Sequence, residues 1–529
     1  MGSDNVLDLA LINPSSRTRV YQSLGKELAA IEPPVWAGLM ATYVRNQGYG
    51  VAIIDAEAEE ITNEQAARLA VDLKARLVAI PVYGHQPSAS TQIMPAAGAL
   101  ARAIKQIAPD QKVLMLGGHV AALPQRSLEE EAVDFVSAGE GLVTLVELIE
   151  ALKTANPVWS GVHDLWYRDN GGVAASTLRA PLVTDVDRQM PGIAWDLLPM
   201  RKYRAHNWHC MGNVNDEGAL DRQPYAAIYT TLGCPFKCTF CCIQAPFKSG
   251  EAELGIKATN NSYRFWSPKR VVDDLEHLVR EYGIRNVKFA DEMFVLNRKH
   301  VEGICDEIIN RKLDLNIWAY ARVDTVKDGM LEKLKKAGFN WLAFGIEAAN
   351  ANVRDMVQKG FDQEDIFVTL QKTWDAGIHV IGNYIFGLPE DNLSTMQETL
   401  DLSMKLNCEF ANFYCAMAYP GSQLYTMALA QGWQLPETWG GYSQHAVDSR
   451  PLPTKYLASG DVLRFRDEAF QSYYCNPTYL EMVRRKFGEA TVQHVRQMTS
   501  HKLERKYGSA PPARAATAGH RAAPAAATS

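Results

Sequence analysis

Twice along this chain, short apolar runs alternate with segments of helical periodicity, and this alternation restricts the fold more than any other feature. Strand-like runs of the first series are Leu7 to Ile12, Val51 to Ile54, Leu77 to Val82, Lys112 to Leu116 and Phe135 to Ser137. Between the first two, Trp36, Leu39, Met40, Tyr43 and Val44 recur at helical spacing after Pro33-Pro34, and Gly48 and Gly50 end the segment. Leu142, Leu145, Val146 and Ile149 repeat the pattern after the fifth run. Strands joined through helices need right-handed crossovers and make a parallel sheet covered on both faces. Residues 1–155 therefore read as a doubly wound, Rossmann- or flavodoxin-like α/β domain, whose ligand belongs beyond the C-terminal strand ends. Asn13, Pro14, the loop 83–88 with Tyr83, Gly117-Gly118-His119 and Gly139-Glu140-Gly141 stand at those ends.

A second series opens at Ala226, with strands expected at Ala226 to Leu232, Asn286 to Ala290, Leu315 to Tyr320, Trp341 to Ile346, His379 to Phe386 and Phe410 to Met417. Amphipathic helices fall between them, and Ser267-Pro268 supplies an N-cap and first-turn pair for the helix carrying Val271, Val272, Leu275 and Leu278. Six such units over residues 223–432 fit a partial (β/α)6 barrel of TIM type, with its chemistry at the C-terminal strand ends. Residues 156–222, with a hairpin signal around Gly171-Gly172, read as a linker packed between the two domains. Residues 433–507 read as a helical C-terminal cap, and the Ala- and Pro-rich residues 508–529 as a disordered tail.

A formal net charge of -6 argues against the basic footprint of a nucleic-acid binder and favours a small-molecule substrate. No run approaches the roughly 18 apolar residues of a membrane span, and Met1 to Asp8 shows no basic segment followed by an apolar core. A cytoplasmic location is the expectation. Nine cysteines, an odd number, then point to metal ligation rather than to a disulfide framework. Cys210, Cys242, Cys305, Cys408, Cys415 and Cys475 are scattered or lie in apolar surroundings, as inert buried thiols do.

The other three sit together in "GCPFKCTFCC", directly after the first strand of the second series. Cys234, Cys238 and Cys241 form Cys-x3-Cys-x2-Cys, and three thiolates on one loop can hold three irons of a four-iron, four-sulfur (4Fe-4S) cluster while leaving the fourth iron open to another molecule. S-adenosylmethionine can chelate that iron through its amino and carboxylate groups. A closed zinc site would require a fourth Cys or His at a familiar spacing, and none stands nearby.

At these residues the sequence resembles the radical S-adenosylmethionine (SAM) superfamily, over residues 226–432. The resemblance implies a role near the adenine for Phe240 and assigns Asp291 and Glu292, in "VKFADEMFVLN", to the amino group of the bound methionine. A helix cap is the other reading of Glu292. Arg322, past the third strand, would pair with the methionine carboxylate, unless it is a surface arginine. Glu347 in "FGIEAAN" resembles the family's ribose- or substrate-side acid, and Gly387 with Pro389 in "FGLPEDN" the motif that lets backbone approach the adenine. The group that abstracts or delivers a proton is not identified by the motifs.

"MLGGHVAALP" and "DFVSAGEGLVTLVEL" resemble the cobalamin-binding domain that precedes one large class of these enzymes, the class B radical SAM methyltransferases, over residues 6–153. Asn13, Tyr83, Gly117, Gly118, Gly139, Glu140 and Gly141 would line the cofactor edge, with the glycines letting backbone pass close to it. "NPSSRTRVYQSLG" stands where many cobalamin proteins carry Asp-x-His-x-x-Gly, so no histidine is expected under the cobalt. His85 and His119 are poor substitutes, and His206, His209 and Cys210 read as packing between the domains. The resemblance implies a 4Fe-4S cluster, SAM and cobalamin as cofactors, an electron donor such as flavodoxin or ferredoxin, and methylation of an unactivated carbon through a 5'-deoxyadenosyl radical. Radical oxidative cyclisation is the nearer alternative, and a cobalamin or redox sensor without turnover the farther one. Substrate specificity is expected in the loops after the last barrel strands and in residues 433–507, including Tyr473-Tyr474.

Overall fold

The computed structural model describes residues 7–84, 89–169, 172–215 and 220–507. His85, Gly171 and the tail 508–529 lie outside the described residues. The first sheet contains β1 (Leu9–Asn13), β2 (Val51–Asp55), β3 (Leu77–Val82), β4 (Val113–Gly117), β5 (Phe135–Ser137), β6 (Leu165–Asp169) and β7 (Gly172–Ala175) in the order β2-β1-β3-β4-β5-β6-β7. The first five strands are parallel, and the order reverses at β1, so the switch point lies between β1 and β3. One boundary differs from the expectation. The hairpin β6-β7, in the segment read as a linker packed between the domains, extends this sheet antiparallel to β5. Three-residue β5 would otherwise present an open edge, and the hairpin covers it.

The second sheet is fully parallel, in the order β15-β14-β13-β12-β11-β8. Its strands are β8 (Tyr225–Ile228), β11 (Asn286–Phe289), β12 (Asn316–Ala321), β13 (Phe339–Glu347), β14 (His379–Phe386) and β15 (Phe410–Cys415), close to the six expected runs. The first stops earlier than expected, because the chain turns at Thr230 and the short β9 (Thr231–Leu232) pairs antiparallel with β10 (Arg264–Phe265). Helix Pro268–Tyr282 starts on Ser267, whose side chain accepts from the Arg270 amide, and buries Val271, Val272, Leu275 and Leu278.

One apolar core runs from Leu9 in the first sheet through linker residues Trp195 and Trp208 to Met498 at the C-terminus, so the two sheets pack as one body. Apart from a 3-10 turn at Trp439–Tyr442, the C-terminal region is helical from residue 459 onward, in Ser459–Tyr474, Pro477–Phe487 and Glu489–Ser500. Residues 433–458 instead clamp the first domain. Trp439 donates to Glu130 (3.1 Å), lies under the Arg126 guanidinium (4.3 Å) and meets His119 edge-on (4.4 Å). Tyr473 and Tyr474 are core groups, contrary to the expectation of a specificity role: their hydroxyls donate to the carbonyls of Cys408 (2.6 Å) and Ala411 (2.7 Å). Among the described residues, no helix is long and apolar enough to cross a membrane.

Candidate active site

The cysteine loop leaves β9 through Gly233, whose φ of +86° a side chain rarely adopts, and a Cβ there would stand 2.4 Å from the Ser262 carbonyl oxygen. Three polar groups then fix the loop. Asn261 donates to the carbonyls of Cys234 and Phe236, both at 2.9 Å. Gln244 accepts from the Cys234 amide (3.3 Å) and donates to Glu251. Glu251, 2% exposed, also accepts from the Ser262 amide (2.6 Å), the Ser262 hydroxyl (2.7 Å) and Lys248 (2.8 Å). These supports follow the motif by up to 27 residues and have no signature of their own, so sequence reasoning missed them.

Burial pushes the Cys234 thiol up to about 12, with Glu292 and Cys238 adding to the effect. Cys241 is raised further, by burial first and then by Cys242, Glu292 and Cys238. Such thiols ionise only when bound to a metal. Among the described residues no three His, Cys, Asp or Glu side chains gather closely enough to hold a single metal ion. A four-iron cluster asks for something wider, since each thiolate binds a different iron. Cys242 is buried in an apolar cluster with Met417, Tyr419 and Tyr442, and it lines the barrel cavity beside Cys241.

Cys241 is exposed, but to a cavity of about 1110 Å³ that runs along the inside of the barrel. Glu292 faces the same cavity, and burial raises its carboxyl to about 8, Lys288 opposing and Asp291 reinforcing the shift. No hydrogen bond or ion pair engages it among the described residues, so the helix-cap reading fails. Asp291, its neighbour, points the other way. It is fully buried and accepts from the Thr230 amide (3.0 Å), the Thr230 hydroxyl (2.8 Å) and the Thr231 hydroxyl (2.6 Å), which ties off the end of β8. Its expected role toward a ligand amino group is therefore corrected: the carboxylate is already spent.

Arg322 is neither on the surface nor in the cavity lining. It is 3% exposed, is gripped by Asp324 (2.9 and 3.0 Å), stacks over Phe236 (4.0 Å) and reaches the Cys238 sulfur at 3.7 Å. Glu347 does line the cavity, at the bulged end of β13 with φ +65°, and pairs with Lys359 at 2.8 Å. Gly345 makes room for that pair, since a Cβ there would meet Glu347 at 2.5 Å and Lys359 at 2.7 Å. Phe240 lines the cavity too. Gly387 does not; its φ is +78°, and a Cβ would strike Val462 of the C-terminal helix at 2.4 Å, so its close approach is to protein. Two residues the motifs did not suggest, Asn383 and Asn412, join side chain to side chain across the cavity wall at 2.9 Å.

The first domain reaches the same cavity through Tyr21, Leu24, Leu28 and Gln92. Helix Arg17–Tyr21 is set by Glu57, which accepts from the amides of Ser16 (2.7 Å) and Arg17 (2.8 Å) at its start. His206 closes a wall. It accepts from the Ala30 amide at Nδ1 (3.3 Å) and donates from Nε2 to Glu32 (3.0 Å), which also holds buried Lys288 (3.0 Å). At the strand ends, Asn13 is engaged by Asp55 (2.8 Å), and Tyr83 stacks on Trp36 at 4.5 Å with its hydroxyl buried and without a hydrogen-bond partner among the described residues. Gly117, Gly139 and Gly141 are needed for packing within the protein, against the Val82 carbonyl (2.2 Å), Asp164 (2.3 Å) and Leu116 (2.5 Å), whereas a Cβ on Gly118 would meet only Ser90 at 3.5 Å. Glu140 is corrected as a cofactor contact, because its carboxylate is buried in an ion pair with Arg264 at 2.7 Å. His119 is buried against Thr91 (3.1 Å) and Trp439.

A model of the Radical SAM superfamily matches residues 228–403, and one of the B12 binding domain matches residues 21–149. The chain is a radical SAM enzyme with a B12-binding domain. An uncharacterized methyltransferase of Pyrococcus horikoshii is 29% identical over 476 residues, covering 90% of this chain and 94% of that protein. The anaerobic magnesium-protoporphyrin IX monomethyl ester cyclase of Rubrivivax gelatinosus is 28% identical over 414 residues, 77% of this chain and 68% of its own length. Among solved structures, the methyltransferase TsrM from Kitasatospora setae, with cobalamin and 4Fe-4S cluster bound, has a TM-score of 0.64 at 16% identity over 89% of this chain and 90% of its own. The cobalamin-dependent SAM radical enzyme OxsB, with aqua-cobalamin and SAM bound, has 0.65 at 15% identity over 93% and 71%. At those identities they establish the shared fold.

The cofactors of this radical SAM enzyme are accordingly a 4Fe-4S cluster, SAM and cobalamin. The residues of the site fit them. The cysteine loop supplies three soft donors beside a cavity holding an unengaged carboxylate, Glu292, suited to an amino group. The orphaned Tyr83 hydroxyl and open Gly118 stand at the strand ends where the B12-binding domain must receive its ligand.

Proposed function

We propose that this enzyme transfers a methyl group to an unactivated carbon of a small molecule, using SAM both as methyl source and as source of a 5'-deoxyadenosyl radical. One observation carries the reading: the cysteine loop and the B12-binding domain open onto a single cavity, with Cys241 and Glu292 on the barrel side and Tyr21, Leu24, Leu28 and Gln92 on the other. The bound cluster supplies the electron that cleaves SAM, and cobalamin supplies the carrier for the methyl group. The chain's own residues bind and shield. Cys234, Cys238 and Cys241 hold the cluster, Glu292 takes the SAM amino group, Phe240 flanks the adenine, and Glu347 with Lys359 contributes a charged pair on the opposite wall. Trp208 and Trp318, packed edge to face at 5.2 Å, line the same cavity with apolar ring surface.

The similarity to a methyltransferase over 94% of that protein's length supports methyl transfer over the cyclase reading, for which the match covers 68%. TsrM has been solved with tryptophan bound, which supports a small-molecule substrate. A one-electron donor of flavodoxin or ferredoxin type belongs to this proposal, as does the absence of nucleic acid among the substrates. The test is anaerobic turnover of the reconstituted enzyme with SAM and candidate substrates, read by mass spectrometry. Formation of 5'-deoxyadenosine, S-adenosylhomocysteine and a product heavier by one CH2 is expected. A dehydrogenated or ring-closed product without the added carbon would establish the cyclase reading instead, and no SAM cleavage on reduction would refute both.

A further inference from the structure

Glu140 and Arg264 lie 124 residues apart in sequence, on different domains, yet meet at 2.7 Å with side chains only 6% and 8% exposed. Glu140 sits in the glycine edge of the B12-binding domain. Arg264 is in β10 and pairs with Leu232, two residues before Cys234 at the head of the cysteine loop. Further contacts hold the pair: Arg264 donates to the Val183 carbonyl (2.7 Å), Glu140 accepts from the Val183 amide (3.3 Å), and the guanidinium lies 5.0 Å from the Phe247 ring, while Arg264 Nε has no hydrogen-bond partner among the described residues. A second tie runs parallel to it, from the Ser249 hydroxyl to Asp164, the residue packed against Gly139.

A buried ion pair is a poor source of stability, because desolvating both charges consumes what their attraction returns, and an apolar pair of similar volume does as well or better. What such a pair provides is register: only one relative placement of the two surfaces satisfies both charges. We infer that Glu140 and Arg264 form a registry device that fixes the spacing between the cobalamin edge and the iron-sulfur loop, with Arg264 as a positioning residue that touches neither cofactor. This rests on the cofactor assignment above. Two cofactors that must act in sequence on one substrate require their separation to be held within a fraction of an ångström, and a strand two residues from the first cluster ligand is the place to hold it.

The test uses the full-length enzyme loaded with both cofactors. Glu140→Leu/Arg264→Met replaces the pair by apolar side chains, and Arg264→Lys keeps the charge while giving up the fork that reaches both Glu140 and Val183. Iron and cobalamin content are read from absorbance, stability from the thermal midpoint, and spacing from pulsed paramagnetic resonance between cob(II)alamin and the reduced cluster. The expected result is full cofactor content and an unchanged midpoint in the double variant, with a broadened or displaced distance distribution, and an intermediate distribution for Arg264→Lys. A distribution as narrow as wild type in both variants overturns the inference. Should the double variant not fold, Arg264→Lys decides alone, a broader distribution supporting the registry role and an unchanged one refuting it. Wild-type protein that takes up no cobalamin would instead sink the cofactor assignment, a separate failure.

Discussion

Replacing Glu251 tests whether the cluster is held by its loop's foundations as well as by its cysteines. In the native protein this carboxylate receives the Ser262 amide and hydroxyl, the Gln244 side chain and Lys248, and Gln244 in turn accepts from the Cys234 amide. Glu251→Ala strands two buried donors, the Ser262 amide and hydroxyl, since Gln244 keeps the Ser262 oxygens as acceptors and Lys248 can turn to water, and at roughly 1–3 kcal/mol per unsatisfied donor, less relaxation, the loss is about 2–4 kcal/mol. For a unit of barrel size, where each kcal/mol moves the midpoint by roughly 2–4 °C, the variant should melt about 4–16 °C lower. Glu251→Gln keeps an acceptor but loses the charge, and should cost about 1.5–3 kcal/mol. Burial raises this carboxyl, and the bonds from Lys248, Ser262 and Gln244 outweigh it, leaving it below the ordinary range. A depressed folded value means that the stability is complete above the unfolded carboxylate value near ~4.3 and is lost as pH falls through the folded one, so the deficit of the Ala variant is full at neutral pH and shrinks in acid. The assay is iron per chain after anaerobic reconstitution, with the temperature at which the cluster absorbance bleaches. Glu253→Ala, at an exposed position two residues on, is the control. Bleaching of Glu251→Ala at the same temperature as that control would refute the argument.

Cys234→Ala, Cys238→Ala and Cys241→Ala should each abolish the cluster absorbance and SAM cleavage, whereas Cys242→Ala, which deletes only a packing thiol, should retain iron; loss of iron in Cys242→Ala would mean the ligand set is misassigned. Glu292→Ala should leave iron and thermal midpoint intact and weaken SAM binding by roughly tenfold to a hundredfold, the loss of one charge-assisted contact, measured by anaerobic calorimetry. Asp291→Ala should do the converse, lowering the midpoint through the freed end of β8, and an unchanged midpoint would contradict the geometry. Tyr83→Phe removes a buried hydroxyl with no partner among the described residues, so the cofactor-free protein should gain about 1–3 kcal/mol while cobalamin affinity falls by roughly 2- to 12-fold, and unchanged affinity would remove Tyr83 from the cofactor site.

The parallel sheets were legible because period-2 apolar runs separated by helices admit few topologies, and the cysteine loop because its spacing is local. The same locality explains the misses. The reading placed Asp291 and Glu292 together past the end of β11, yet the chain turns at Glu292, and only tertiary structure decides that Thr230 and Thr231 claim the first and leave the second for the cavity. Arg322 was expected to pair with the methionine carboxylate, but Asp324, two residues on, engages its guanidinium. Glycines mislead in a related manner: Gly117, Gly139, Gly141 and Gly387 mark close approaches, but what approaches is Val82, Asp164, Leu116 and Val462. A glycine in a sequence reports that something comes near, without saying whether it is ligand or protein. Glu140 is the sharpest case. Its place in the glycine edge suggested a cofactor contact, and the partner that claims it is Arg264, 124 residues on and in the other domain. A pairing at that separation leaves no periodic trace in either segment, because each charge taken alone reads as an ordinary solvated residue.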